Sequence, residues 1–470
     1  MNLVSSFMET ARCEGDRPAI VAPDGTTISF ADLAQRSARL AAHWRNRGLQ
    51  KGARVLVAMP VGIELYIAIA ALWRVGAVIV FPEPAMGLPG IRTAAEIVAP
   101  RALLLTGMYR VLPLLAPQLL RIRMRLQMRM PKTGDVLADV GSEDPALISF
   151  TSGSTGRPKA IVRSHGFLNA QNEELRDLLA PTRADETDLV AFPVFVVANL
   201  ALGVTSVLPN WRPSRPDRAT FRQIADHVAR HRVTRLLVQP SIAEIIARGD
   251  TALPVHTLFT GGGPVFPDLL ESLARRLPRT EIVSVYGSTE AEPIAHQAFA
   301  AISEDQWRQM RSGAGLLAGR PTHGTRVRII DDEIVVSGKH VNRGYLGGVG
   351  DADNKLKLDG ETWHRTGDAG HIDPDGFLWL LGRCSAKAGS LFPFQVEIAA
   401  RFWPGVTRAA LVPGLVPPTL AIEGTEPAAG IWLEQARSLG VERVLPMRIP
   451  LDRRHRSKVD YVALRRMLSA

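Results

Sequence analysis

Between residues 28 and 46 apolar side chains recur every three or four positions. Phe30, Leu33, Ala34, Leu40 and Ala41 fall on one broad face, which predicts a helix. Residues 54–59, ArgValLeuValAlaMet, form the nearly continuous apolar run of a strand buried on both faces. A helix over 64–75 and a strand over 76–81 follow, and residues 100–105 repeat the theme. The pattern returns at 188–192, 233–239 and 255–259. Strands alternating with helices predict βαβ units and a parallel sheet covered on both faces. From about residue 320 the period shortens to brief strands between turn signals, at 326–332, 333–337 and 373–381, which predicts a smaller β-rich subdomain. After about residue 383 come proline-broken short elements and a basic helix. The expected fold is α/β: a large N-terminal domain of βαβ-type sheets with a β-rich subdomain, then a small α+β C-terminal domain.

Length supports more than one domain. The chain has 470 residues, and single cores rarely grow past about 250–300. The longest apolar stretch, 67–82, is interrupted by Arg74 and is too short to span a bilayer. The N-terminal residues lack a basic segment followed by a long apolar run, so no signal peptide is expected. Cys13 and Cys384 are the only cysteines; two cannot build a disulfide framework, and a cytoplasmic protein is expected. The net charge of +10 favours anionic partners in general. No nucleic-acid-binding motif accompanies that charge, so nucleic acid is not an expected partner. One basic segment stands apart. In residues 120–130, LRIRMRLQMRM, Arg121, Arg123, Arg125 and Arg129 alternate with Ile122, Met124, Leu126, Met128 and Met130. As a strand, this places the arginines on one face. Two readings stay open: a solvated edge, or docking to an anionic membrane or an acidic partner.

The densest chemistry lies in residues 147–165, LISFTSGSTGRPKAIVRSH. An apolar strand ends at Phe150, and a loop of hydroxyls and glycines follows: Thr151, Ser152, Gly153, Ser154, Thr155 and Gly156. Successive N–H groups of such a loop can cradle phosphate oxygens, and Lys159 adds a mobile positive charge. The Walker spacing is absent. The string resembles the T-S-G-[ST]-T-G-x-P-K signature of the adenylate-forming superfamily: acyl- and aryl-CoA synthetases, peptide-synthetase adenylation domains and luciferases. Three further strings fall in that family's order. ValTyrGlySerThrGlu, 285–290, resembles Y-G-x-T-E. The resemblance implies that Tyr286 stacks on adenine beside Gly287, that Thr289 contacts phosphate and that Glu290 holds Mg²⁺. Magnesium prefers oxygen ligands and few protein carboxylates, so one Glu with ATP oxygens is adequate. ArgThrGlyAspAlaGly, 365–370, resembles T-G-D and implies that Asp368 accepts bonds from the ribose hydroxyls. LeuGlyArg, 381–383, resembles the hinge G-R and places Arg383 near the ribose.

The resemblance covers essentially the whole chain. It implies an enzyme that uses ATP and Mg²⁺ to activate a carboxylic acid as its acyl-adenylate, releasing pyrophosphate. It also implies an adenylation domain at 1–382 and a small mobile lid at 383–470, with a second catalytic lysine at Lys458. One departure stands out. The chain continues from Arg383 as CysSerAlaLysAlaGlySerLeuPhePro, without the family's acidic residue. That counts against coenzyme A as acceptor. Residues 190–209 and 212–217, with Asp452, Arg454, His455 and Lys458 in 449–460, resemble the β-lactone synthetases of bacterial olefin biosynthesis. There the β-hydroxyl of a fatty or other β-hydroxy acid closes on the activated carbonyl, and His455 is the candidate base. Residues 166–178 and 193–202, with Phe195 and Asn199, are expected to line the acyl pocket, together with 259–263, which hold Gly261 and Gly262. The rival readings are a coenzyme A or amide-forming ligase on the same fold, and a non-catalytic nucleotide-binding paralogue.

Overall fold

Helix and strand boundaries follow local chemistry closely. The Phe30–Asn46 helix begins where the Ser29 side chain accepts the Asp32 N–H at 3.1 Å, a standard N-cap. The Ile63–Val75 helix is apolar on all sides and closes at Gly76 in the left-handed conformation. It has 13 residues, and all but Glu64 in its first turn are buried. Its Arg74 is nearly inaccessible and meets Asp135 at 2.6 Å, so the cation that interrupts the apolar run is paired. Among the described residues no helix is long and apolar enough to cross a membrane.

The structure is a computed structural model that describes residues 2–82, 87–152, 158–212, 215–428, 430–451 and 459–469. The chain forms two units, Met1–Asn210 with Lys339–Lys355, and Trp211–Gly338 with Leu356–Ala470. The first holds a six-stranded sheet in the order Met124–Leu126, Ala102–Leu105, Arg54–Ala58, Val78–Val80, Pro145–Ser152, Pro158–Ser164. All its pairings are parallel except the last. A second group pairs Thr27–Ser29, Pro18–Val21, Thr205–Val207 and Thr187–Val190. The core between them is built from Trp44, Tyr66, Ile67, Leu72 and their neighbours.

Two expectations need correction. The strand expected to end at Phe150 runs on to Ser152, and the chain returns antiparallel as Pro158–Ser164 before a helix opens at His165. The hydroxyl-glycine segment therefore joins two paired strands. Of residues 120–130, only Met124–Leu126 are a strand, at the sheet edge, because a 3₁₀ turn begun by Pro117 occupies Pro117–Arg121. Met124, Leu126, Met128 and Met130 do pack into the core, and Arg121, Arg123 and Arg129 are exposed. Arg125 is the exception: it is half-buried and donates to the Leu119 carbonyl at 2.9 Å.

In the second unit, Arg235–Val238, Thr257–Gly261 and Glu281–Ser288 run parallel. Antiparallel strands follow as Ala291–Ala298, Leu316–Pro321, Leu378–Arg383, Glu361–Ile372, Glu333–Ser337 and Arg326–Ile330. This is the expected change from alternating to β-rich texture. Val406–Leu411, Thr419–Gly424 and Arg443–Pro446 make a separate three-stranded sheet. It has its own core around Val396, Leu420 and Trp432.

Candidate active site

In the second unit, three long-range pairings bring separate strings together. Tyr286 lies near the end of Glu281–Ser288; Thr289 and Glu290 form the turn into Ala291–Ala298. Asp368 pairs in register with Arg383 across the Glu361–Ile372 and Leu378–Arg383 strands. The Tyr286 hydroxyl donates to Asp368 Oδ2 at 2.9 Å, and Arg383 Nη1 donates to Asp368 Oδ1 at 2.9 Å. Arg383 also donates to the Thr366 carbonyl at 3.0 Å, and the Asp368 N–H to Thr366 Oγ1 at 3.1 Å. Burial, with the Asp368 carboxylate facing it, raises the Tyr286 phenol well above its ordinary range. The hydroxyl therefore stays a proton donor at neutral pH.

Glu333 holds this turn from behind. It accepts the Gly367 N–H at 2.8 Å and Arg365 Nε at 2.7 Å. Gly367 has φ +71°, and a Cβ there would stand 2.7 Å from Arg383 Nη2. Only glycine lets the guanidinium lie across the turn. Sequence reasoning singled out neither Glu333 nor Thr366. Cys384, next to Arg383, is pushed up to about 11 by burial and by Glu333 and Asp368, so it remains a thiol. Gly261 ends the Thr257–Gly261 strand opposite Val285, and Gly262 follows it.

In the first unit, Lys159 faces Thr151 across the two-stranded pairing and is buried. Its ammonium lies 5.5 Å from the Tyr345 ring centroid, and that of Lys355 lies 5.0 Å from the same centroid. Cation–π attraction of this kind favours both positions. Tyr345 bridges to Ile161, so residues 339–355 lie along the Pro158–Ser164 strand. Gly350, at φ +92°, gives the lysine room: a Cβ there would come within 2.8 Å of Lys159 Cε. Tyr345 was not among the expected site residues; its sequence signal is the glycine-rich turn GlyTyrLeuGlyGlyValGly. Phe195 lies on the Pro193–Leu202 helix with an edge-to-face contact to Phe192. Asn199 is fully buried, and its amide donates to Asp188 at 3.0 Å and Ser206 at 3.1 Å. That makes it a clamp between the helix and two strands, with only its Oδ1 uncommitted.

Gly153, Ser154, Thr155 and Gly156 lie outside the described residues, as do His455 and Lys458, and of Ser152 only the backbone is described. Among the described residues no cluster of three His, Cys, Asp or Glu could hold a metal ion. The donor set at the 289–290 turn, one half-buried carboxylate, fits a hard cation that brings most of its oxygen ligands with it.

Residues 7–346 match the family described as AMP-binding enzyme. An olefin beta-lactone synthetase of Xanthomonas campestris pv. campestris is 30% identical, across 97% of this chain and 96% of that protein. A feruloyl-CoA synthase of Amycolatopsis sp. is 30% identical across 83% of this chain and 81% of its own. Among solved structures, O-succinylbenzoate Coenzyme A Synthetase (MenE) from Bacillus subtilis, in complex with ATP and magnesium ion, superposes with a TM-score of 0.75 at 20% identity. That match covers 96% of this chain and 97% of the other.

Proposed function

We propose that this chain, which belongs to the AMP-binding enzyme family, activates a β-hydroxy acid with ATP and then closes it to a β-lactone. The first half-reaction is the family's: the acid carboxylate attacks the α-phosphorus of ATP, an acyl-adenylate forms and pyrophosphate leaves. The Tyr286–Asp368–Arg383 cluster suits the nucleoside. Its carboxylate is oriented by two donors and can accept from ribose hydroxyls, and the ring of Tyr286 offers a face to the base. Lys159 and the loop at 151–156 suit the phosphates, where negative charge grows in the transition state. Mg²⁺ bound with the triphosphate, with Glu290 as its protein ligand, would offset the charge on the departing pyrophosphate. Lys458 is assigned the bridge between the acid and the α-phosphate.

In the second half-reaction the β-hydroxyl oxygen attacks the activated carbonyl carbon. The C–O bond of the ring forms, the bond to AMP breaks, and the hydroxyl proton passes to a base, for which His455 is proposed. Holding nucleophile and carbonyl on one bound molecule replaces a bimolecular encounter by an oriented unimolecular one. The observation that carries this reading is the near-complete overlap with an olefin beta-lactone synthetase. The altered segment after Arg383, where Cys384–Ala386 form a short 3₁₀ turn without an acidic residue, supports it. Residues 383–470 are assigned the lid, a division supported by their separate sheet and core. We place the reaction in the cytoplasm, which suits two free cysteines.

The test supplies ATP, Mg²⁺ and a 3-hydroxy fatty acid without coenzyme A. A product lighter than the acid by one water, formed with AMP, is expected. AMP formation only on addition of coenzyme A or an amine would assign the chain to ligation instead, an outcome given weight by the feruloyl-CoA synthase match.

A further inference from the structure

Fourteen large apolar side chains are exposed among the described residues, and six of them lie between Ile97 and Leu120. Met108 and Leu114 are each 77% exposed. The segment is a chain of short turns, Gly107–Val111, Leu112–Leu115 and Pro117–Arg121. Its inner side chains, Leu112, Ala116 and Leu119, join the cluster that includes Ala94, Ala95 and Val98 of the Gly87–Val98 helix. Arg92 fastens it by donating to the Leu115 carbonyl at 2.7 Å. The scaffold is therefore seated on its own apolar contacts, while Met108, Val111, Leu114, Leu115 and Leu120 point away from them. Scattered exposed apolar residues need no explanation, but a concentrated patch of them does.

Charge identifies the occupant. No Asp or Glu occurs between Glu96 and Asp135, whereas Arg101, Arg110, Arg121, Arg123, Arg129 and Lys132 are present and exposed. Arg125 is turned inward to Leu119 and is not part of this set. A strip of exposed apolar side chains accompanied by cations, where Glu96, accepting from Gln118 at 3.4 Å, is the one carboxylate that the described hydrogen bonds bring to it, matches a surface that is anionic outside and apolar just beneath. We propose that residues 107–129 dock this protein on an anionic lipid bilayer, with Met108 and Leu114 entering the headgroup boundary and Arg121, Arg123 and Arg129 pairing with lipid phosphates. This surface lies wholly within the first unit and does not depend on which acid is activated.

The test is flotation of the full chain with vesicles of phosphatidylcholine alone or with one quarter phosphatidylglycerol. Binding to the anionic vesicles only, weakened by salt, is expected. The triple variant Arg121→Gln/Arg123→Gln/Arg129→Gln should lower the partition coefficient by roughly 100-fold, since each surface cation contributes about 1 kcal/mol. Met108→Gln/Leu114→Gln should lower it at every salt concentration. Both variants alter exposed side chains, and unchanged thermal melting confirms an intact fold. Absence of binding, equal binding to both vesicle types, or variants that bind like wild type would overturn the proposal. So would concentration-dependent self-association abolished by Met108→Gln/Leu114→Gln, which assigns the patch to a second copy of the chain.

Discussion

Replacing Tyr286 by Phe removes one oxygen and leaves the ring in place. The deleted hydroxyl donates to Asp368 at 2.9 Å, a bond to a charged acceptor, and such bonds contribute about 1.5–3 kcal/mol. Asp368 keeps its bond from Arg383, and its side chain is 20% exposed, so water recovers part of the loss. The expected weakening is about 1–1.5 kcal/mol, or a rise of roughly 5–10-fold in the KM for ATP. If the hydroxyl acts only by aiming the carboxylate at the ribose, kcat should change little. Pyrophosphate release followed against ATP concentration measures both constants. A cycle with Asp368→Asn supplies the sharper check. Independent sites add within about 0.3–0.5 kcal/mol, whereas partners in one hydrogen-bond network do not. The double variant should therefore be less impaired than the sum of the singles. Strict additivity, or an unaltered KM in Tyr286→Phe, would show that this contact has no part in nucleotide binding.

Gly367→Ala should destabilise the fold by about 1–2 kcal/mol from the left-handed backbone alone. It should also raise the KM for ATP by displacing Arg383, measured by thermal melting and by the same assay. Lys159→Ala should slow pyrophosphate release by roughly 10²–10³-fold, and Glu290→Gln should raise the Mg²⁺ concentration needed for half-maximal rate; wild-type behaviour in both would remove these residues from the proposed site. Burial pushes the carboxyl of Glu397 up to about 7 from an ordinary 4.5, despite bonds from Tyr461 and the Leu411 N–H. The folded state then holds the proton that the unfolded state has released, so stability should fall as pH rises from about 4.5 through 7, by about 3 kcal/mol. His165 slopes the other way, stabilising as pH rises from about 4 towards 6.5. The Glu397 contribution is therefore read as the difference between wild type and Glu397→Gln, in denaturant melts at pH 5 and pH 8; a difference that does not change between them refutes it.

Much of the architecture was legible because periodicity is a local signal. The Phe30–Asn46 and Ile63–Val75 helices and the strands that alternate with them need only a window of ten residues. Tyr286, Asp368 and Arg383 were legible as strings of matching residues, and the strands do bring them into contact. Glu333 was not, because GluIleValValSer carries only a strand pattern. Its carboxylate meets Gly367 through an antiparallel register, Glu333 opposite Ala369, that no local window contains. Tyr345 escaped for the same reason, since its partner Lys159 lies far away in sequence. Strict alternation misled at Arg125: proline set a tight turn just before the strand, and the turn's carbonyl at Leu119, which also accepts the Ile122 N–H, takes a bond from the guanidinium and holds it inward.

Residues 339–355 belong with the first 210 residues although the chain has by then built much of the other unit. This interleaving has a consequence for biosynthesis. Domains generally fold as units while the chain emerges from the ribosome. Here the first unit must wait for more than a hundred intervening residues before the segment that packs Tyr345 against Lys159 is available. Until then the buried lysine lacks its cover. A nascent chain stalled before residue 339 would present that edge of the sheet open, and no single cut in the gene separates one complete unit from the other.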